Sequence, residues 1–183
     1  GDYDGDGDLD LFVGKYSGSI TVFTNEGGIF SSAGNLQADG VDIDVDYASP
    51  VFEDIDGDDD LDLYVGENSG MIKVFTNDGG VFTAAGNMQA DGVDIDVGSY
   101  SHPAFEDIDG DDDMDLFVGA SDGTLLVYDN DGGVFTSAGY LQADGINIDV
   151  GSWSIPVFAD IDDDDDLDIY VGEYSGEIKV FTN

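Results

Sequence analysis

The chain has 183 residues, of which 41% are hydrophobic and 11% aromatic, which is enough apolar material for one sizeable core. Its 43 acidic residues against three lysines or arginines give a formal net charge of -40, which disfavours nucleic acid and anionic membrane surfaces as partners. The absence of cysteine excludes disulfides and thiolate metal sites, and no apolar run reaches the roughly 20 residues of a membrane span, so no membrane insertion is expected.

The chain opens with GDYDGDGDLDLFVG, in which aspartates occupy every second position before an apolar run. At an effective dielectric near 20, two carboxylates about 5 Å apart repel by roughly 3 kcal/mol. A compact arrangement of five therefore needs a compensating cation, whereas a solvated acidic turn does not. The stretch predicts either an open acidic turn or a closed metal site, built from Asp2, Asp4, Asp6, Asp8 and Asp10.

The opening motif returns three times along the chain, as DIDGDDDLDLYVG from Asp54, DIDGDDDMDLFVG from Asp107 and DIDDDDDLDIYVG from Asp160. Counted from Asp2, successive copies are 52, 53 and 53 residues apart. The sequence between the motifs repeats as well, since AGNLQADGVDIDV returns as AGNMQADGVDIDV and AGYLQADGINIDV. A period near 50 residues is typical of bladed or solenoid arrays.

Within one repeat, short apolar segments alternate with turn signals. In the third copy, Pro103 begins a short strand, the aspartate loop follows, and Met114 to Gly119 form an apolar strand. Asp122-Gly123 then suits a tight hairpin turn with positive φ. A third strand, a turn built on Asn-Asp-Gly-Gly and a fourth strand complete the pattern, which predicts an antiparallel meander of about 35 residues plus a linking loop.

The strand after each aspartate loop is apolar on both faces, as in Leu61–Val65, which suits a sheet covered on both sides. We therefore predict an all-β fold, a β-propeller-type tandem array of four-stranded antiparallel blades of about 53 residues, with incomplete first and last units. The whole chain forms one tandem-repeat domain. Its units are expected at 1–49 (opening strand missing), 50–102, 103–155 and 156–183 (last strand missing).

The pattern Asp-x-Asp-x-Asp-Gly-x-x-Asp between two strands, followed by an apolar strand ending in Val-Gly, resembles the FG-GAP/VCBS repeats of integrin-type β-propellers and bacterial surface proteins. The resemblance covers nearly the whole chain in four copies. It implies one calcium ion per loop, held by side chains at the first, third, fifth and ninth positions and by the backbone carbonyl at the seventh. The implied side-chain ligands are Asp2, Asp4, Asp6 and Asp10; Asp54, Asp56, Asp58 and Asp62; Asp107, Asp109, Asp111 and Asp115; and Asp160, Asp162, Asp164 and Asp168. The implied carbonyl ligands are those of Asp8, Asp60, Asp113 and Asp166.

The loops depart from the family pattern at two positions. Gly7 fits the sixth position, but Asp59, Asp112 and Asp165 replace glycine there, and Asp163 replaces glycine at the fourth position. Aspartate tolerates a left-handed backbone better than most residues, so we expect the loops to keep their shape with some strain.

The donor set favours calcium over other metals. Carboxylate and carbonyl oxygens from a short loop, without histidine or cysteine, suit a six- to eight-coordinate calcium ion better than magnesium or zinc. Four copies in register argue against merely solvated acidic turns. We expect four calcium ions and, because unliganded loops repel themselves, ion binding coupled to folding.

The linking segments contain a second set of acidic residues. They form a further candidate metal set, but their alternation with valine and isoleucine is also typical of a half-buried strand with one wet face. The candidates are Asp39, Asp42 and Asp44; Asp91, Asp94 and Asp96; and Asp144, Asn147 and Asp149.

Catalysis is not expected from this sequence. A glycosidase needs one asymmetric pair of carboxylates, whereas these aspartates repeat equivalently in every unit. The single histidine, His102, stands where the next unit has Ile155, and we predict an ordinary loop residue. No serine or thiol nucleophile with a partner is evident.

Aromatic residues recur just before the prolines that begin units 2 to 4. They are Tyr47, Tyr100 and Trp153. Such rings on propeller loops suit stacking on sugars, as in a calcium-dependent lectin; alternatively they fill the space between adjacent blades, where aromatics bury a large area.

The ends of the chain suggest a role. The first unit starts at its aspartate loop and the last stops before its fourth strand, so apolar faces or edges need cover. Head-to-tail contact with other copies would give a larger ring or an open filament. We therefore expect an extracellular or cell-surface structural or adhesive protein, whose partners are calcium ions, other copies of itself and a cell-surface protein or glycan.

Overall fold

The computed structural model describes residues 1–161 and 167–182, which form twenty strands and no helix. Nothing in this described part of the chain is a helix long and apolar enough to cross a membrane. Unit 1 consists of β1 (Leu11–Gly14), β2 (Ile20–Glu26) and β3 (Ile29–Asn35), followed by a linking hairpin of β4 (Gln37–Ala38) and β5 (Val41–Asp42). Unit 2 consists of β6 (Ser49–Glu53), β7 (Asp62–Gly66), β8 (Ile72–Asp78) and β9 (Val81–Asn87), followed by β10 (Gln89–Ala90) and β11 (Val93–Asp94).

Unit 3 consists of β12 (His102–Glu106), β13 (Asp115–Gly119), β14 (Leu125–Asp131) and β15 (Val134–Tyr140), followed by β16 (Gln142–Ala143) and β17 (Ile146–Asn147). Unit 4 consists of β18 (Ile155–Ala159), β19 (Asp168–Gly172) and β20 (Ile178–Phe181). Each unit is an antiparallel meander with strands in sequence order, four in units 2 and 3 and three described in units 1 and 4. The predicted all-β array of tandem antiparallel units is thereby confirmed.

The linking segments differ from the predicted loops, because each contains a short antiparallel ladder. The first ladder also joins the next unit: Ala38 pairs in parallel with Phe82, so that β4 and β5 extend the sheet of unit 2 to six strands. The fourth strand of each complete unit is longer than predicted and passes through a β-bulge opposite Val74–Phe75 or Val127–Tyr128.

The hydrophobic core lies between successive sheets. Ile20 and Val22 of unit 1 belong to the same buried cluster as Leu63 and Val65 of unit 2, and the two later junctions have equivalent clusters. All five residues of β7 are buried, as its two apolar faces predict. Packing between neighbouring repeats therefore supplies the cohesion that a single sheet lacks.

The repeated Val-Gly at the end of the second strand has a packing cause. A Cβ on Gly66 would overlap the carbonyl oxygen of Ser101, which passes against it in the linking segment. Ser101 is fully buried: its hydroxyl accepts a hydrogen bond from the Glu67 N–H (2.9 Å) and donates one to the Met71 carbonyl (2.6 Å). Ser154 repeats this arrangement one unit later, so each serine fastens a linking segment to the hairpin before it.

Candidate metal centre

Three of the four aspartate loops lie fully within the described residues, and they lead into strands β1, β7 and β13. In every one, three carboxylates offer oxygen atoms that lie within 4.8 Å of one another. The clusters join the first, third and fifth positions in the first two loops, and the first, third and ninth in the third loop. They are Asp2, Asp4 and Asp6; Asp54, Asp56 and Asp58; and Asp107, Asp109 and Asp115.

The remaining predicted ligands have separate placements. Asp10 and Asp62 are buried at the start of the following strand, and Asp111 lies outside the three-residue cluster of its loop. Asp160 and Asp168 of the fourth loop are described, with Asp168 buried. Residues 162–166 lie outside the described residues. They comprise three predicted ligands, Asp162, Asp164 and Asp166, and the two substituted positions, Asp163 and Asp165.

The first aspartate of each loop organises the turn around itself. Asp54 Oδ1 accepts hydrogen bonds from the N–H groups of Gly57 (2.8 Å) and Asp58 (3.2 Å), and its Oδ2 accepts one from Asp59 (3.0 Å). Asp107 and Asp2 bind their loops in the same manner. This network curls the chain so that the next alternate carboxylates face a common point.

The sixth position has the left-handed backbone that its family glycine would adopt. Asp59 and Asp112 have φ values of 72° and 73°, compared with 93° for Gly7. Their side chains therefore fit the loop as expected, because aspartate is among the residues that tolerate this region.

The ninth aspartate is buried beneath the loop. Asp62 is 3% exposed, and its Oδ1 accepts a hydrogen bond from the Asn77 N–H (2.7 Å). Burial raises its pKa, the Asn77 hydrogen bond opposes that rise, and the neighbouring charges of Asp56 and Asp58 add to it. A cation in the loop would favour the charged form that burial and repulsion disfavour.

The seventh aspartate directs its side chain away from the loop centre. Asp60 Oδ2 accepts a hydrogen bond from the N–H of Gly79 (2.7 Å) in the turn between the third and fourth strands. Asp8 and Asp113 contact Gly27 and Gly132 in the same way. The side chain thus ties the loop to the neighbouring turn, and its main-chain carbonyl is the group that the resemblance assigns to calcium.

A repeated asparagine, absent from the predicted site, completes this connection. Asn77 donates from Nδ2 to the Leu61 carbonyl (3.1 Å), and its Oδ1 accepts from the Gly80 N–H (2.8 Å). Asn25 and Asn130 do the same in their units. The sequence contains a signal for this asparagine, since Asn-x-Gly-Gly follows each of the first three aspartate loops at a constant distance.

Six of the eight candidate aspartates in the linking segments accept hydrogen bonds within the protein. Asp42 accepts from the side-chain amides of Asn35 (2.9 Å) and Gln37 (2.7 Å), which lower its pKa, and Asp94 repeats this with Asn87 and Gln89. Asp39 and Asp91 have positive φ and accept from N–H groups of the fourth strand of the next unit. Asp96 and Asp149 accept from nearby glycine N–H groups, and Asn147 accepts from Gln142.

The predicted half-buried strand with a wet face is found only in part, because β5 ends at Asp42 and its Val41 is 68% exposed. Ile43 is 3% exposed between the exposed Asp42 and Asp44. Among the described residues, the groupings of three carboxylates suited to a metal lie in the aspartate loops, not in the linking segments.

The recurring aromatic residues contact one another across units. The ring centroids of Tyr47 and Tyr100 are 5.1 Å apart, those of Tyr100 and Trp153 are 4.3 Å apart, and those of Tyr47 and Trp153 are 5.5 Å apart. All three residues have positive φ, which is costly for bulky side chains and requires support from the surrounding structure. The three rings therefore form one cluster, rather than packing separately between pairs of adjacent blades.

The prediction that His102 is an ordinary loop residue is wrong. It begins strand β12 opposite Gly119, is 4% exposed, and lies against the rings of Tyr47 and Trp153. Neither ring nitrogen has a hydrogen bond of good geometry, and burial lowers the pKa of His102 to about 4, against an opposing effect of the Ser154 main chain. The sequence could not reveal this, because Tyr47 and Trp153, which cover His102, are both far from it along the chain.

Comparison with known proteins agrees with the geometry. A family model described as FG-GAP-like repeat matches residues 2–65, 54–118 and 107–171, each match extending from one aspartate loop past the next. A search of curated proteins finds no match. The donor set, oxygen only and converging in each described loop, fits a hard divalent cation.

Proposed function

Because this chain belongs to the FG-GAP-like repeat family, which is typical of extracellular proteins, we propose that it is a calcium-stabilised structural or adhesive repeat protein of the cell exterior. The observation that supports calcium is the convergence of three carboxylates within 4.8 Å in each of the three fully described loops. One ion per aspartate loop, four in all, is the proposed stoichiometry.

In this proposal the loop residues perform distinct tasks. The first, third, fifth and ninth aspartates supply carboxylate oxygens, and the seventh supplies its carbonyl while its side chain holds the adjacent turn. The bound ion supplies positive charge. Neutralisation then permits Asp62 and its equivalents to remain charged while buried, so the loop keeps the following strand in the inter-unit core.

Self-association is the second part of the proposal, and it is supported by the exposure of equivalent residues. Leu63 and Val65 are fully buried by the preceding unit, whereas their equivalents in unit 1, Leu11 and Val13, are 47% and 38% exposed. At the opposite face, Ile72 is fully buried and its equivalent in unit 4, Ile178, is 68% exposed.

Within this protein, the surface that covers such a face is always another repeat. We propose that the exposed face of unit 1 accepts the exposed face of unit 4 from another copy, giving head-to-tail filaments or a larger assembly. The association is heterologous, because the two contacting surfaces are opposite faces of the repeat.

Electron microscopy and sedimentation of the purified chain, with calcium and with excess chelator, test both parts. We expect assemblies in calcium and loss of assembly with chelator. Leu11→Glu should prevent association, whereas Val134→Glu, at an outer-strand residue that is 65% exposed, should not. Elemental analysis that finds no bound calcium in the folded chain would contradict the proposal, and monomers in saturating calcium would contradict its second part.

A calcium-dependent carbohydrate-binding role is the alternative. Tyr16 and Tyr174, which are 75% and 76% exposed, flank the cluster of Tyr47, Tyr100 and Trp153 and contact it. Exposed aromatic rings suit stacking on sugars. A glycan array in calcium distinguishes this role from a purely structural one. The comparison variant is Tyr174→Ala, which lacks one of the exposed rings. We propose no enzymatic activity, because the acidic loops are equivalent in every unit.

A further inference from the structure

The third unit contains an additional carboxylate beside its aspartate loop. The residue before the repeated asparagine is threonine in units 1 and 2, Thr24 and Thr76, and again at Thr182 in unit 4. In unit 3 it is Asp129. An additional carboxylate there is unexpected in a chain with a net charge of -40, unless something positive lies near it.

The strand register places Asp129 next to the third loop. Leu116 lies opposite Tyr128, so one residue toward the loop brings Asp129 alongside Asp115. The neighbouring N–H of Asn130 donates to Asp115 Oδ1 at 2.9 Å, which keeps the two strands together at this point. Like charges at neighbouring positions on adjacent strands destabilise a sheet unless a cation intervenes.

The third loop also gathers a different set of carboxylates. Its cluster joins Asp107, Asp109 and Asp115, whereas loops 1 and 2 gather their first, third and fifth aspartates. Asp115, the residue that Asp129 adjoins, is therefore itself part of the third cluster.

We propose that Asp129 is an affinity-determining residue of the third loop, which makes this loop the tightest of the three fully described calcium sites. This inference rests on the proposed calcium function. Asp129 acts through the attraction between its negative charge and the bound ion. An extra unit charge about 8 Å from a divalent ion raises its affinity roughly five- to thirtyfold for effective dielectric constants of about 80 to 40.

Hydrogen exchange followed by mass spectrometry, at a series of free calcium concentrations, tests this site by site. Protection of peptides covering 107–115 and 54–62 gives a calcium midpoint for each loop. We expect the midpoint of the third loop to lie at least about fivefold below that of the second. Asp129→Thr should raise it to the level of the second loop, and Thr76→Asp should lower the midpoint of the second loop.

Asp144→Asn, which removes one negative charge from the linking hairpin after unit 3, controls for the change in net charge. Equal midpoints for the two loops in the unaltered chain, or a third-loop midpoint that Asp129→Thr leaves in place, would overturn the inference while the calcium proposal stands. Loops whose protection does not respond to calcium at all would overturn the calcium proposal, and the inference with it.

Discussion

Trp153 stacks on Tyr100 with ring centroids 4.3 Å apart and an interplanar angle of 29°, although the two residues belong to successive repeats. Tyr47, from the repeat before, meets both rings edge-on. The first strands of units 2, 3 and 4 also lie next to one another, with β12 between β6 and β18. The repeats are therefore arranged around a common axis. The three aromatic rings occupy equivalent positions in successive repeats and contact one another at that axis.

Tyr100→Ala should destabilise the chain through loss of these ring contacts. Tyr100 is half-buried and touches two rings, so we expect a loss of about 1–2 kcal/mol in the free energy of unfolding. Urea denaturation in saturating calcium measures it. Tyr174→Ala is the control, since that ring is 76% exposed and its loss should cost little. Equal effects of the two substitutions would argue against the cluster.

Ser101→Ala should weaken the attachment between a linking segment and the preceding hairpin. The hydroxyl is fully buried, accepts a hydrogen bond from the Glu67 N–H and donates one to the Met71 carbonyl. Its removal should therefore lower the free energy of unfolding by about 1–3 kcal/mol. The fold itself tolerates alanine, because Ala48 occupies the equivalent position in unit 1 and keeps the backbone bond to Lys15. Ser69→Ala, at an exposed turn, should change the unfolding free energy less; a fully stable Ser101→Ala variant would contradict the assignment.

Removing calcium should loosen or unfold the chain. Without ions, each of the three fully described loops holds three carboxylates with oxygen atoms within 4.8 Å of one another, and their repulsion disfavours the folded state. Thermal melting followed by circular dichroism should therefore shift to lower temperature with excess chelator and recover on addition of calcium. Magnesium at the same concentration is the matched control, and we expect it to restore less stability. A melting curve that chelator leaves unchanged would count against coupled binding.

Acid should destabilise the chain through His102. Its pKa is lowered to about 4 in the folded state from 6.5, so the folded state binds fewer protons than the unfolded state between these values. Stability is therefore full above pH 6.5 and falls as the pH decreases toward 4, by about 1–2 kcal/mol at pH 5.

The comparison of His102→Ile with the unaltered chain isolates this effect from calcium release, which affects both proteins. Ile155 occupies the equivalent position in unit 4, so the substitution is one that the repeat already contains. We expect the stability difference between variant and unaltered chain to grow from pH 7 to pH 5 in excess calcium. A difference that stays constant with pH would show that the histidine does not titrate in this range.

Much of the candidate site could be predicted from local sequence. The aspartate spacing predicted where the loops lie, and the left-handed backbone of Asp59 and Asp112 follows from residue preferences that operate within a few residues. The alternation of Asp42, Ile43 and Asp44 likewise predicted that Ile43 is buried between two exposed carboxylates, although Val41, on the same predicted face, is 68% exposed.

The sequence by itself determined the repeat, the strand and turn pattern and the chemistry of the loop ligands, because these depend on neighbouring residues and on hydrogen bonds that span a short stretch of chain. The tertiary structure alone decided that Tyr47, Tyr100 and Trp153 meet, that His102 is buried among them, and that Asp129 adjoins Asp115. The first two of these contacts depend on the angle between successive sheets, which is set by the packing of whole units. The third depends on strand register, and no local pattern of residues contains either quantity.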